Sequence, residues 1–229
     1  MITLRIIRKI LKWILIVFFG STVLAVAAFR FIPVYVTPLM IIRAINPQGS
    51  EMQRESERHW KHRWISLDDM SQWMPAAVVA SEDGNFYEHK GFDFDQIEKA
   101  MEERREGKRE RGASTISQQT AKNVFLWPSH SWLRKGLEAY FTVLIELMWP
   151  KERIMEVYLN SIEMGAGIYG VDAAAGHYFN TSAKDLTKRQ CALIAVSLPA
   201  PLKRDPANPT AYLQKRARQI SRYMYVKAE

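Results

Sequence analysis

Glu82 and Asp83 close an apolar run, Met74 to Ser81, and are followed by Phe86, His89 and Gly91. A carboxylate that ends a buried helix is partly stripped of water, which raises its pKa and makes it a usable base near neutrality. Further on, Gly112, Ser114, Thr115, Gln118, Gln119, Lys122 and Asn123 form a second cluster. On a helix, Thr115, Gln118, Gln119 and Lys122 share one face. Amides and hydroxyls bond sugar hydroxyls while a lysine neutralises an anion, so this face suits a phosphorylated sugar. Arg134, Lys135 and Glu138 lie within one helical turn. A fourth cluster holds Lys151, Glu152, Ile154, Glu156, Tyr158 and Asn160, ahead of Gly165 and Gly170, which read as helix ends or close backbone approaches. Taken singly, each has an ordinary reading: a solvated helix end, a polar face, an i,i+4 ion pair worth about 0.3–0.5 kcal/mol.

The elements that must position these clusters read as helices. Asp95 with Glu98 three residues later looks like an N-cap and predicts a helix to about Glu106. Leu133, Leu137, Tyr140, Phe141, Leu144 and Met148 recur at helical spacing and predict a helix that stops before Pro150. Pro150 suits the first turn of the next, with Ile154, Val157, Tyr158 and Ser161 on one face. Thr187 and Gln190 form a capping box before an apolar run, and Asn208-Pro209 is expected to cap a last amphipathic helix to about Val226. No strand-like alternation persists. The fold class is mainly α.

Charge and hydropathy divide the chain. Of the net +8, residues 1–30 supply +5 through Arg5, Arg8, Lys9, Lys12 and Arg30. Another +3 sits in the run Arg104 to Arg111. A basic excess at one terminus and in one loop, rather than on an extended face, argues against nucleic acid as a partner. Trp13 to Phe29 is seventeen residues without a charge, the lower limit for spanning a bilayer, and Phe31 to Val36 can lengthen it past Arg30. Four cations before it predict a cytoplasmic tail (1–12), a transmembrane anchor (13–36) and an exported domain (37–229). A cleaved signal peptide is the other reading, since Ala25, Val26 and Ala27 resemble a cleavage site. Phe31, Ile32, Val34, Tyr35, Val36, Leu39 and Met40 are the apolar surface expected to touch the bilayer. The single Cys191 excludes an intramolecular disulfide framework and a Cys-rich zinc site. His59 and His62 are i,i+3 neighbours that could mimic a metal pair, but no carboxylate is placed to complete a site.

Together the clusters are no longer ordinary. EDxxFxxHxG, GxSTxxQQxxxN, RKxxE and KExIxExYLN, in this order from Glu82 to Asn160 and followed by GxxGVDAAAGHYF, closely resemble the peptidoglycan glycosyltransferases of family 51. The likeness runs from about Trp64 to Pro201. No Ser-x-x-Lys occurs, so the chain resembles the single-function, membrane-anchored members. The resemblance implies a lysozyme-like α-helical fold with a smaller lobe that meets the membrane. It also implies that the substrates are lipid II and the growing lipid-linked glycan, joined β-1,4 with inversion and release of undecaprenyl pyrophosphate. Membrane lipids and other cell-wall synthesis proteins are the implied partners, and the cell inner membrane, with the catalytic domain in the periplasm, is the implied location.

By the same resemblance Glu82 is the general base. Lys122, Arg134 and Lys135 neutralise the leaving pyrophosphate. Glu138, the second carboxylate, orients those cations or helps to hold a divalent cation, Mg or Mn. Ser114, Gln118, Gln119 and Asn123 position the donor, and Asp83, Phe86 and His89 shape the site. His130 stands where members of the family often carry an arginine, and Arg104, Arg105, Lys108, Arg109 and Arg111 are candidates for engaging pyrophosphate. Two other classes compete: a lytic hydrolase of the same polymer, and an anchored scaffold without activity. The lysine and glutamines of the second cluster suit a pyrophosphate donor and have no purpose in hydrolysis. Intact Glu82 and Glu138 argue against the scaffold.

Overall fold

A computed structural model describes residues 2–47, 49–107, 112–129 and 131–225, with side chains from residue 5 onward. The described residues form eleven α-helices and one small sheet. The first helix, α1 (Ile2–Phe29), runs unbroken through the basic tail and the apolar segment. It stops at Phe29 because Pro33 has no N–H to donate and pushes the residue before it out of helical geometry. The segment from Phe31 to Val36 therefore does not extend the helix.

Only one stripe of α1 is packed. Phe18, Thr22, Ala25, Val26 and Phe29 lose exposure against α7 (Trp132–Met148), while residues 5–17 are open on every side. The contacts advance together along both helices, so α1 and α7 run in the same direction. Phe18 and Thr22 meet Tyr140, with the two hydroxyls 2.8 Å apart, and the Trp149 indole donates to the Val26 carbonyl at 2.8 Å. Arg153 closes the junction by donating to the carbonyls of Phe29 and Ile32.

Next come α2 (Pro38–Ile45), started by the Thr37 hydroxyl and Pro38, and α3 (Glu51–Arg58), started by a Ser50–Gln53 capping box. Around α2 the expected apolar surface is only partly external. Phe31, Ile32, Tyr35 and Val36 are exposed, but Val34 and Met40 are buried in the interior and Leu39 is half-buried. Ile41 and Ile45 are exposed instead, since α2 turns its Met40 face inward.

The head is built on two helices buried almost all round, α8 (Lys151–Ser161) and α10 (Lys188–Ser197). Against them pack α4 (Trp73–Glu82), α6 (Ile116–Phe125) and α11 (Ala211–Ser221), with α7 outside α6. The capping box at Thr187 and the stop before Pro150 are as the sequence predicts. Two caps differ. Helix α5 (Phe94–Arg105) is capped by Asp93, whose carboxylate accepts from the Gln96 N–H, and not by Asp95. Asn85 donates to the other Asp93 oxygen at 2.8 Å, a tertiary bond that selects between two carboxylates with similar local sequence. The last helix is capped by Thr210 rather than by Asn208-Pro209 and ends at Ser221, short of the predicted end.

The sheet was not expected from alternation, because its strands have two or three residues. Strand β3 (Ile168–Tyr169) lies between β1 (Lys61–His62), parallel to it, and β2 (Glu163–Gly165), antiparallel. The glycines here are close approaches, as predicted. A side chain at Gly165 would strike the Tyr178 hydroxyl. Gly170, at φ +79°, holds a conformation that L residues rarely adopt, and its Cβ would lie 2.6 Å from the Asn160 carbonyl oxygen. It starts α9 (Val171–Phe179).

Candidate active site

Glu82 is the last residue of α4, half-buried where that helix meets α6. Its partners are neutral. Ser81 donates to one carboxylate oxygen and the Gln119 amide to the other, both at 3.3 Å. Removal from water pushes the Glu82 pKa up; the Gln119 and Ser81 hydrogen bonds and the Arg204 charge oppose this, and Asp83 adds to it. Gln119 is itself oriented, because the fully buried Tyr158 hydroxyl donates to its carbonyl oxygen at 3.3 Å. Burial keeps the Tyr158 phenol protonated, its pKa well above the usual value, so the sequence Tyr158, Gln119, Glu82 has a fixed donor direction.

The turn after Glu82 is tied to α6. Asp83 accepts the His89 ring N–H at 3.0 Å and the Ile116 backbone N–H at 2.9 Å. The other His89 nitrogen accepts the Gly91 N–H at 3.1 Å, so the ring carries its proton on Nε2. Thr115 then donates to the Gly91 carbonyl at 2.6 Å. A carboxylate at the N-terminus of α6 meets the positive end of the helix dipole as well as an otherwise unpaired N–H. Phe86 is buried beneath this turn, with the Lys151 ammonium 4.5 Å from the centre of its ring. Lys151 also pairs with Glu146, which accepts from Ser117 of α6. Asp83, Phe86 and His89 thus hold the turn that follows Glu82 against α6.

On the other side of Gln119 the surface is cationic. Glu138 is buried in α7, and its two oxygens accept from Arg134 (2.9 Å) and from Lys135. Lys122 reaches solvent, yet the groove walls around it remove enough water to lower its pKa. Glu138 opposes that shift, while Arg134 and Lys135 reinforce it. Three cations around one carboxylate leave a surplus of two positive charges. Gln119, Lys122, Asn123 and Arg134 line a groove of about 360 Å³ with Arg43 and Glu163 on its far wall. Lys135 is half-exposed and does not line it. A second cavity, of about 300 Å³, is lined by Glu82, Ser114, Thr115, Gln96 and Arg216. Gln119 lines the first and bonds Glu82 of the second.

The predicted common face of Thr115, Gln118, Gln119 and Lys122 is therefore split. Thr115 is the N-cap of α6, and Gln118 folds back to accept the Thr115 N–H in a capping box, where it is buried. Gln119 and Lys122 reach the groove, whereas Ser114 stands with Glu82. The dual use of the S/T-x-x-Q pattern explains the difference: it reads equally as a polar face and as a helix start. Tyr158, Arg204 and Arg216 were not singled out as a polar set, because only the fold brings them to Glu82. His130 and the loop residues Lys108, Arg109 and Arg111 lie outside the described residues.

No group of three His, Cys, Asp or Glu side chains converges on a metal position among the described residues. Both Glu138 oxygens are occupied by cations. The residues present do not fit a divalent ion held by the protein, and no step below is routed through one. His59 pairs with Glu55, and the His62 ring bonds the Asn160 carbonyl, so those two histidines serve different neighbours.

Comparison with known proteins identifies the family. The profile of the family described as Transglycosylase matches residues 48–225. A biosynthetic peptidoglycan transglycosylase of Bacteroides thetaiotaomicron is 60% identical over 95% of this chain and 88% of its own length. Proteins of the same description from Caulobacter vibrioides and Bdellovibrio bacteriovorus are 50% and 51% identical, over 95% and 91% of this chain and 91% and 83% of theirs. A desolvated carboxylate beside a cationic groove, a family match across most of the chain and relatives aligned nearly end to end lead to one conclusion: the chain belongs to the transglycosylase family.

Proposed function

We propose that this protein is a peptidoglycan transglycosylase that polymerises lipid II into linear glycan strands. The observation that carries the proposal is the pairing, across Gln119, of a carboxylate with raised pKa and a groove with surplus positive charge. Glu82 takes the proton from the 4-hydroxyl of the acceptor N-acetylglucosamine as its oxygen attacks the anomeric carbon of the donor. The bond from that carbon to the pyrophosphate breaks with inversion, giving a β-1,4 link. The electron pair leaves on undecaprenyl pyrophosphate, where Lys122 and Arg134 stabilise the added charge. Glu138 acts through those cations by holding Arg134 and Lys135 in place. A two-carboxylate hydrolase would need a second free carboxylate beside Glu82, and Glu138 is committed to two ion pairs.

The substrate's lipid ties the reaction to a membrane. The candidate span Arg5–Phe29 is a 25-residue helix whose charge-free part, Trp13 to Phe29, is about 25 Å long; with Lys12 snorkelling to the interface it matches a hydrocarbon core of about 30 Å. We read it as a single-pass anchor with the basic end in the cytoplasm and the catalytic head outside, in the periplasm. Phe31, Ile32, Tyr35, Ile41 and Ile45 extend the apolar surface around it.

The test is direct. Purified full-length protein incubated with labelled lipid II should give a ladder of glycan strands that muramidase digests. Release of soluble disaccharide without polymer would replace this reading with hydrolysis, and an inert protein with intact fold would replace it with a scaffold.

A further inference from the structure

Gly84 lies just past Asp83 and borders two cavities: that of Glu82, and another of about 530 Å³ on the other side of the turn. A Cβ at Gly84 would meet nothing within 4 Å, so the ridge between them is low. The floor of the larger cavity is apolar, from Pro75, Ala76 and Val79 of α4. Its walls are Tyr87, Tyr223 and Tyr225, which are 55%, 67% and 78% exposed, with Gln72 and Glu152. None of these side chains takes part in the reaction described above.

Open aromatic rings around an apolar floor, with an amide and a carboxylate at the edge, match the chemistry of a pyranose. The C–H faces of a sugar ring pack on tyrosine, and its hydroxyls and acetamido N–H donate to amide and carboxylate oxygens. Partial burial, and then the Glu152 charge, push the Tyr87 phenol pKa up, so its O–H remains a donor at neutral pH. Glu152 is the charged lining residue among those described, and it disfavours an anion. The pyrophosphate therefore belongs at the Lys122 end. The surface runs in order from the cationic groove through Gln119 and Glu82, over Gly84, to the tyrosines.

We propose that the tyrosine-lined cavity is a glycan-binding subsite that holds N-acetylhexosamine rings of the growing strand away from the bond being formed. It rests on the polymerising function proposed above. A strand gripped there remains on the enzyme between additions, so the cavity governs product length rather than the making of one bond.

The experiment uses the full chain in detergent and two readouts. In the first, chitohexaose is titrated into wild type and into a Tyr87→Ala, Tyr223→Ala double variant. The wild type should bind it, and loss of two rings should weaken binding about tenfold. In the second, labelled lipid II is supplied, and the variant should form the first glycosidic bond at the wild-type rate but give shorter strands. Gly84→Leu provides an independent variant, since Gly84 has no positive φ to strain; filling the ridge should also shorten the strands. The proposal is overturned if wild type does not bind chitohexaose, if the double variant binds it equally well, or if both variants make strands of wild-type length. Absence of any polymer from wild type would instead overturn the proposed function, and the titration would still judge the cavity.

Discussion

Glu82 and Glu138 are both carboxylates taken from water, but their surroundings differ in kind. Glu138 is the more deeply buried, and two cations sit on its oxygens. Glu82 has only an amide and a hydroxyl at 3.3 Å, and its nearest charges act from a distance. An ion pair fixes a charge in place, whereas neutral donors leave a proton free to come and go. Burial alone therefore does not mark a base; burial without a counter-ion does.

Glu82→Gln is the severest way to test that contrast. It keeps the size and removes the proton acceptor, so polymerisation of lipid II should fall about 100- to 10,000-fold. The melting temperature should hold or rise, because a desolvated charge has been removed. A variant at near wild-type rate would show that Glu82 is not the base.

Glu138→Gln should reverse the pattern. Removing one member of a buried ion cluster leaves Arg134 uncompensated and should cost about 3 kcal/mol of stability, read by denaturant unfolding, together with weaker donor binding. Lys122 makes no such pair among the described residues, so Lys122→Ala should slow turnover about 100-fold while stability changes by no more than about 0.5 kcal/mol. Equal stability losses in the two variants would erase the distinction between a structural and a substrate-facing charge.

A finer test uses pH. The Gln119 hydrogen bond favours ionised Glu82, so Gln119→Ala should move the acid limb of the rate profile to higher pH. An acid limb that stays in place would mean that another group controls it. Glu163 offers a smaller effect, in stability. Burial pushes its pKa up to about 7 against the opposing charge of Arg43. The native state therefore holds a proton that the unfolded chain has released, and the contribution is present below about pH 4.5 and lost as pH rises through about 7. That slope is at most about 1.4 kcal/mol per pH unit, and Glu163→Gln should flatten it.

The helix cores were legible because α7 and α8 carry apolar stripes that only one period explains. Their ends were less so. Asp93 and Asp95 both stand three residues before a suitable partner, and a distant Asn85 decides between them. Glu82, Lys122 and Arg134 came from the resemblance of the whole motif series, because type and spacing alone left each with an ordinary reading. Gln118 was misplaced because the same pattern serves a cap and a binding face. Arg204 and Arg216 were illegible, since neither belongs to a local pattern and their nearness to Glu82 is made by the packing of α10 and α11.

The contact between α1 and α7 has a consequence for how the protein meets its substrate. Thr22, Val26 and Phe29 join the anchor to the catalytic head through three separate hydrogen-bonded contacts, so there is no slack linker at that junction. With α1 upright in a bilayer, the head cannot tumble. On the anchor reading proposed above, it would diffuse in the plane of the membrane at a constant height. With the lipid-linked substrate proposed above, enzyme and substrate would search for each other in two dimensions, which raises their effective concentration without any further contact between them.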